Sequence, residues 1–202
     1  MSRRNEEPAF TLWQELGRKS IHLAGAVLPA FYVIVGPGIA VPSLVGLAIL
    51  VPIGDALRIR VELFGRVLGY LFGQVIRSEE DTRLTGASWY VIGQALTALL
   101  FPPDVVPVAM TFLILGDTAA ALVGRRWGTH TWVPGKTVEG TIAFVVASFA
   151  GGAAWFLLPW YVVLVGALAA AAAEVVVRGI DDNLSIPLCG GLVMWALLMF
   201  VG

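Results

Sequence analysis

The sequence is poor in the residues that make polar surfaces. Only 13% of its 202 residues are charged, against about 25% in a typical soluble domain. Meanwhile 58% are hydrophobic, and mean hydropathy is +0.84. This balance excludes an ordinary soluble enzyme and indicates an integral membrane protein. The lone cysteine, Cys189, cannot form a disulfide within the chain, and no Cys/His spacing resembles a zinc site. Two histidines, His22 and His130, are too few for a histidine-based metal centre. A net charge of −1 offers no basic surface for nucleic acid.

What the chain has in quantity is apolar runs, at 21–35, 39–54, 87–101, 105–123, 141–158, 160–177 and 186–201. They predict an all-α bundle of about seven transmembrane helices, one membrane-embedded domain over 1–202. Several runs fall short of the ~20 residues of a perpendicular span, so their flanks must contribute. The first run is short and basic-flanked like a signal peptide. It contains Pro29 and leads into Gly36-Pro37-Gly38 rather than a small-residue cleavage site, so it is expected to be retained.

Charge sets the orientation. With a cytoplasmic N-terminus, four basic residues precede the first span and five lie between the second and third. Three more lie between the fourth and fifth, and Arg178 follows the sixth. That places all 13 Lys+Arg on one side, leaving Asp104 on the other. The positive-inside rule then predicts that residues 1–19, the segment 56–86 and the loop 124–140 are cytoplasmic. Function is expected there, because long charged loops can bind while tight turns only link. Leu57, Val61, Phe64, Leu68, Leu71 and Val75 predict one amphipathic interfacial helix over 56–77. The charged loop 79–86 reads by itself as a solvated linker. The small-residue stretch Ala167 to Ala173 could pack within the chain or against a second copy, as in a homodimer.

Within this frame a few polar residues stand out. Asp117 lies inside an apolar run, where a charge is expensive and marks a functional site by default. It shares a helical face with Ala120, Ala121 and Gly124. Downstream come Arg125, Arg126, Lys136, Thr137 and Glu139. Gly135-Lys136-Thr137 is not a P-loop, since the required earlier glycine is His130 and no β-strand is expected before it. What remains is a lysine close to a helix N-terminus, which favours anions, with Thr137 and Glu139 able to cap that helix. Glu174, Arg178 and Asp181 follow at i, i+4 and i+7, with Asp182 and Asn183 next. Two acidic clusters on one side suit Mg²⁺, usually held by one or two carboxylates plus substrate phosphates. Before the first span, Glu15, Arg18, Lys19, His22 and Gly25 form a polar stripe entering the membrane.

Five stretches, in order along nearly the whole chain, resemble the family of CTP-dependent lipid kinases (dolichol, phytol and yeast-type diacylglycerol kinases). They are Glu15 to His22, Leu84-Thr85-Gly86-Ala87, Gly116-Asp117-Thr118 through Gly128, Gly135-Lys136-Thr137-Val138-Glu139-Gly140, and Glu174 to Pro187. The resemblance implies transfer of the γ-phosphate of CTP to the hydroxyl of a long-chain alcohol or lipid, with Mg²⁺. It implies Mg²⁺ on Asp117 with Asp181 or Asp182, and Glu174 as a further ligand or as base. Lys136, Arg125 and Arg126 would hold the triphosphate, with Thr137, Glu139 and Asn183 on the nucleotide side. Arg18, Lys19, His22 and Thr85 would lie on the lipid side. The CDP-diacylglycerol synthases are similar in the Asp117 and Lys136 motifs. They usually have a second lysine where this chain has Val133-Pro134-Gly135, and a different close after Gly190-Gly191. Phosphatidate cytidylyl transfer is therefore the alternative. A transporter or scaffold is disfavoured, because a polar pathway should reach the far half of the membrane.

Overall fold

The computed structural model describes Gly17, Ser20, 22–73, Glu80, 82–177 and 179–201. Of the residues singled out above, Glu15, Arg18, Lys19, Val75 and Arg178 lie outside the described residues. The elements are α1 (Val27–Val35), α2 (Pro37–Arg60), α3 (Glu62–Phe72), α4 (Gly86–Leu100) and α5 (Val105–Thr111). A π-helical turn, Phe112–Asp117, joins α5 to α6 (Thr118–Trp127). There follow β1 (Thr131–Val133), β2 (Lys136–Thr137), α7 (Val138–Ala153), α8 (Trp160–Val176) and α9 (Asp182–Val201).

Every apolar run coincides with a helix, and among the described residues three helices are long and apolar enough to cross a membrane: Pro37–Arg60, Val105–Trp127 and Asp182–Phe200. His22–Val35, Val138–Ala153 and Trp160–Val176 are apolar but shorter. Exposed Ile34, Leu50, Leu99, Leu168 and Phe200 give the bundle an apolar exterior suited to lipid. Val105–Trp127 is the central helix, 72% buried in its apolar window, against 17% for Pro37–Arg60. Its Phe112 ring fills a socket formed by Gly152, Gly166 and Gly190, where any β-carbon would press on that ring. Small residues from α7, α8 and α9 thus let three helices close on one aromatic.

Two expectations change. The helix foreseen over 56–77 is broken at Val61, whose extended backbone (φ −119°) ends α2 and starts α3. Leu57 and Phe64 therefore belong to different helices, because the spacing persists across a break that periodicity does not register. The bundle is also not purely helical. Thr131 pairs with Thr137 and Val133 with Lys136 in an antiparallel hairpin, so a strand does precede α7. Pro134 and Gly135 form its turn, with Gly135 at φ +80°, the left-handed conformation that a type II turn requires. The Ala-rich face is used inside the chain: Ala167, Ala170, Ala171 and Ala173 are buried, and α8 packs along α9.

Candidate active site

The site forms where the hairpin meets the ends of α8 and α9. Lys136 Nζ donates to Glu174 Oε1 at 2.5 Å and to Asp182 Oδ2 at 3.0 Å. The lysine thus joins Glu174 and Asp182, two acids of the same foreseen cluster. Glu174 is only 4% exposed, and its Oε2 is buried without a hydrogen-bond partner among the described residues. Burial pulls the Lys136 ammonium down, but Asp182 and Glu174 outweigh it and hold its pKa above the ordinary lysine value. The charge of Asp117 also reaches Glu174 and Asp182. Asp117, Lys136, Glu174 and Asp182 therefore form one electrostatic cluster drawn from four elements.

Asp117 owes its position to the π-helical turn it ends. Such turns are rare and often mark functional sites. Three successive carbonyls here accept side-chain bonds: Phe112 from Ser148 (3.5 Å), Leu113 from His22 (3.2 Å) and Ile114 from Thr118 (2.6 Å). His22 Nε2 also lies 3.7 Å from Asp117 Oδ2, and its ring meets Tyr90 edge-on at 5.0 Å. A carbonyl can only accept, so Nε2 carries the proton and faces both Leu113 O and Asp117. Gly116 is held against Ser148 and Phe144, with no room for a β-carbon.

The other candidates take supporting places. Thr137 caps α7 by accepting from Gly140 N at 3.1 Å. Glu139 turns back to Thr129 Oγ1 and His130 Nδ1, each at 2.7 Å, and closes the loop at 129–139. Arg125 and Arg126 are both exposed, the latter over the Trp127 ring at 5.9 Å. Asp181 caps α9, accepting from Asn183 N (2.9 Å) and Nδ2 (2.7 Å). Asn183 Nδ2 also reaches Gly86 O at 3.4 Å, tying α9 to α4. Thr85 enters through its backbone N–H, which donates to Asp55 Oδ2 at 2.5 Å.

Asp55 is the residue that sequence reasoning missed. It is 7% exposed, pairs with Arg58 at 2.9 Å and accepts from Ser88 Oγ at 2.9 Å. Arg58 in turn donates to Glu80 O (2.7 Å) and Arg83 O (3.0 Å). Glu80 Oε1 accepts from Gly86 N at 2.9 Å. Two carboxylates thus satisfy the first N–H groups of α4, where the helix dipole favours negative charge. Glu80, Arg83, Thr85 and Gly86 are pinned by this network rather than lying in a solvated linker. The one available signal was the i, i+3 spacing of Asp55 and Arg58 at the end of an apolar run.

Among the described residues no three His, Cys, Asp or Glu side chains gather closely enough to hold a metal ion unaided. The geometry is instead a half-buried cation held by two acids, with a third acid in electrostatic range.

No family model matches the chain, and no solved structure matches it. It is 28% identical over 163 residues to CTP-dependent diacylglycerol kinase 1 of Schizosaccharomyces pombe, covering 72% of this chain and 75% of that one. It is 31% identical over 104 residues to phytol kinase of Synechocystis, covering 46% and 45%. Dolichol kinase of Saccharomyces cerevisiae matches at 43% over 44 residues, 21% of this chain and 8% of the kinase. The matches thus include three lipid kinases with different lipids in their names. The chain belongs to the family of CTP-dependent lipid kinases.

Proposed function

We propose that this protein transfers the γ-phosphate of CTP to the hydroxyl of a long-chain isoprenoid alcohol or other lipid at the cytoplasmic face, with Mg²⁺. The observation that carries the reading is the Lys136–Glu174–Asp182 triad, which brings a cation and two acids together from separate elements of the chain. The seven-span arrangement with a cytoplasmic N-terminus belongs to the same reading and rests on the distribution of Lys and Arg.

Phosphoryl transfer asks the protein mainly to position groups in line and to neutralise charge. Lys136 is suited to exchange a carboxylate partner for a phosphate oxygen, and Arg125 and Arg126 precede the hairpin as further cations. Mg²⁺ would be held by Asp117 with Asp181 or Asp182 and completed by substrate phosphates, with Glu174, whose Oε2 is buried with no hydrogen-bond partner among the described residues, as a further donor. When bound and shared with the phosphates, the ion would neutralise their charge. The acceptor oxygen forms a bond to the γ-phosphorus while the bond from that phosphorus to the β–γ bridging oxygen breaks, releasing CDP. The hydroxyl proton passes to a carboxylate of the cluster.

The test uses CTP labelled at either phosphate, with the purified protein in lipid. Label from the γ-phosphate should appear in the lipid, and label from the α-phosphate should not. The opposite result would make the protein a cytidylyltransferase, and the kinase reading would fall.

A further inference from the structure

Beside the central helix lies an apolar groove of about 340 Å³. Its walls are Ala26 and Pro29 before and on α1, Ile114 and Leu115 of the π-helical turn, and Ala154 and Trp155 at the end of α7. Its lining is almost wholly apolar. The Trp155 indole N–H is satisfied within it, donating to Thr111 Oγ1 at 2.8 Å. Nothing polar in the groove asks for water, so hydrocarbon suits it. The volume is at the low end of the ~300–1,000 Å³ of ligand pockets, enough for part of one chain.

Two walls of this groove lead to the same place. Leu115 is two residues from Asp117, on the same π-helical turn. Ala26 is four residues from His22, and His22 Nε2 lies 3.7 Å from Asp117. The His22–Asp117 pair is not part of the groove's lining; it lies next along the chain, His22 four residues before Ala26 and Asp117 three after Ile114. Leu113 O holds His22 there, and Tyr90 backs its ring. On its other side, Asp117 acts electrostatically on the Lys136 triad.

We infer that this groove is the acceptor site, holding one alkyl or isoprenoid chain of the lipid with its hydroxyl at the His22–Asp117 pair. The inference rests on the lipid-kinase reading and adds where the acceptor lies. Asp117 then stands between an acceptor side, formed by α1 and the π-helical turn, and a nucleotide side, formed by the hairpin with α8 and α9. His22 is a positioning residue in this arrangement, since its proton is directed at Leu113 O and Asp117.

The test begins without turnover. A long-chain alcohol carrying a diazirine within its chain is photolysed with the full-length protein in phosphatidylcholine bilayers, and labelled peptides are mapped. Labelling on Ile114, Leu115 or Ala154, displaced by excess unmodified alcohol, supports the site. Labelling confined to other surfaces overturns it. Equal labelling of the groove by a diazirine phosphatidylcholine, undisplaced by alcohol, shows a bulk-lipid contact and also overturns it, as does a photo-crosslinked dimer through the groove. A second arm narrows the groove from its rim with Ala26→Leu and Ala154→Leu. Each should raise KM for the long-chain alcohol about tenfold, within the range an apolar pocket discriminates by methylene groups, with KM for CTP unchanged. Unchanged KM for the alcohol counts against the groove. Absence of any phosphate transfer by the unmodified protein would remove the kinase reading, while the photolabelling result would still decide what the groove binds.

Discussion

At the scale of single residues, Lys136 carries the most. Removing it leaves Glu174, almost fully buried, facing Asp182 without the cation that joins them. Breaking a buried pair from one side typically costs about 3–5 kcal/mol, so Lys136→Met should melt well below the unmodified protein in detergent. Adding Glu174→Gln removes the uncompensated charge and should restore much of the stability, but not CTP-dependent phosphorylation. Restored activity in the double variant would deny Lys136 its role toward the nucleotide. The pH dependence follows from the sign of the shift. A lysine with a raised folded pKa contributes stability fully below its unfolded value and loses it only as pH rises through the folded one. The melting difference between Lys136→Met and the unmodified protein should thus stay constant from about pH 6 to pH 9 as far as Lys136 titration is concerned. Asp117, Lys136 and Glu174 were all legible in the sequence, because charges inside or beside apolar runs are costly enough to be noticed. Their partnership was not. The Lys136–Glu174 contact spans 38 residues and depends on how α7 and α8 pack.

At the scale of elements, the site depends on close helix approaches that glycine permits. At Gly93 of α4, an added β-carbon would sit 2.1 Å from the backbone oxygen of Asn183, the residue after Asp182. Backbone cannot swing aside as a side chain can, so Gly93→Ala must push α9 away from α4. A stability loss of about 1–3 kcal/mol is expected, as for overpacking in a tight core. KM for CTP should rise with it as Asp182 leaves Lys136. Gly69→Ala is the control, with open space around the added carbon, and should keep both melting temperature and KM. If the two variants behave alike, the α4–α9 contact does not position the site. Helix existence was legible from the apolar runs, and the tight link at Gly36-Pro37 from its residue types. The π-helical turn was not, since Phe112 to Asp117 has the composition of an ordinary helix. It forms where Gly116 lets Ser148 and Phe144 press in and where three carbonyls find side-chain donors. The break at Val61 and the Pro134-Gly135 hairpin were hidden for related reasons: periodicity ignores a single extended residue, and strands of two and three residues carry little pattern of their own.

At the scale of the molecule, the polar groups of the site lie on one end of the bundle. The hairpin, the start of α4 and the start of α9 are linked there by Thr85–Asp55, Asn183–Gly86 and Lys136–Asp182. The loop at Pro102-Pro103-Asp104 follows α4 at its opposite end. A chain with all 13 basic residues assigned to one side should therefore insert with the hairpin in the cytoplasm and that loop outside. Both places offer exposed positions for labelling, Trp132 and Pro103. With Cys189 first replaced by serine, Trp132→Cys should react with a membrane-impermeant maleimide only after the membrane is opened. Pro103→Cys should react in sealed, right-side-out cells. The reverse pattern would invert the orientation and place the Lys136 triad away from cytoplasmic CTP. Reaction of both positions in sealed cells would put the hairpin and the 102–104 loop on the same face, and an even number of crossings between them would replace the single central span.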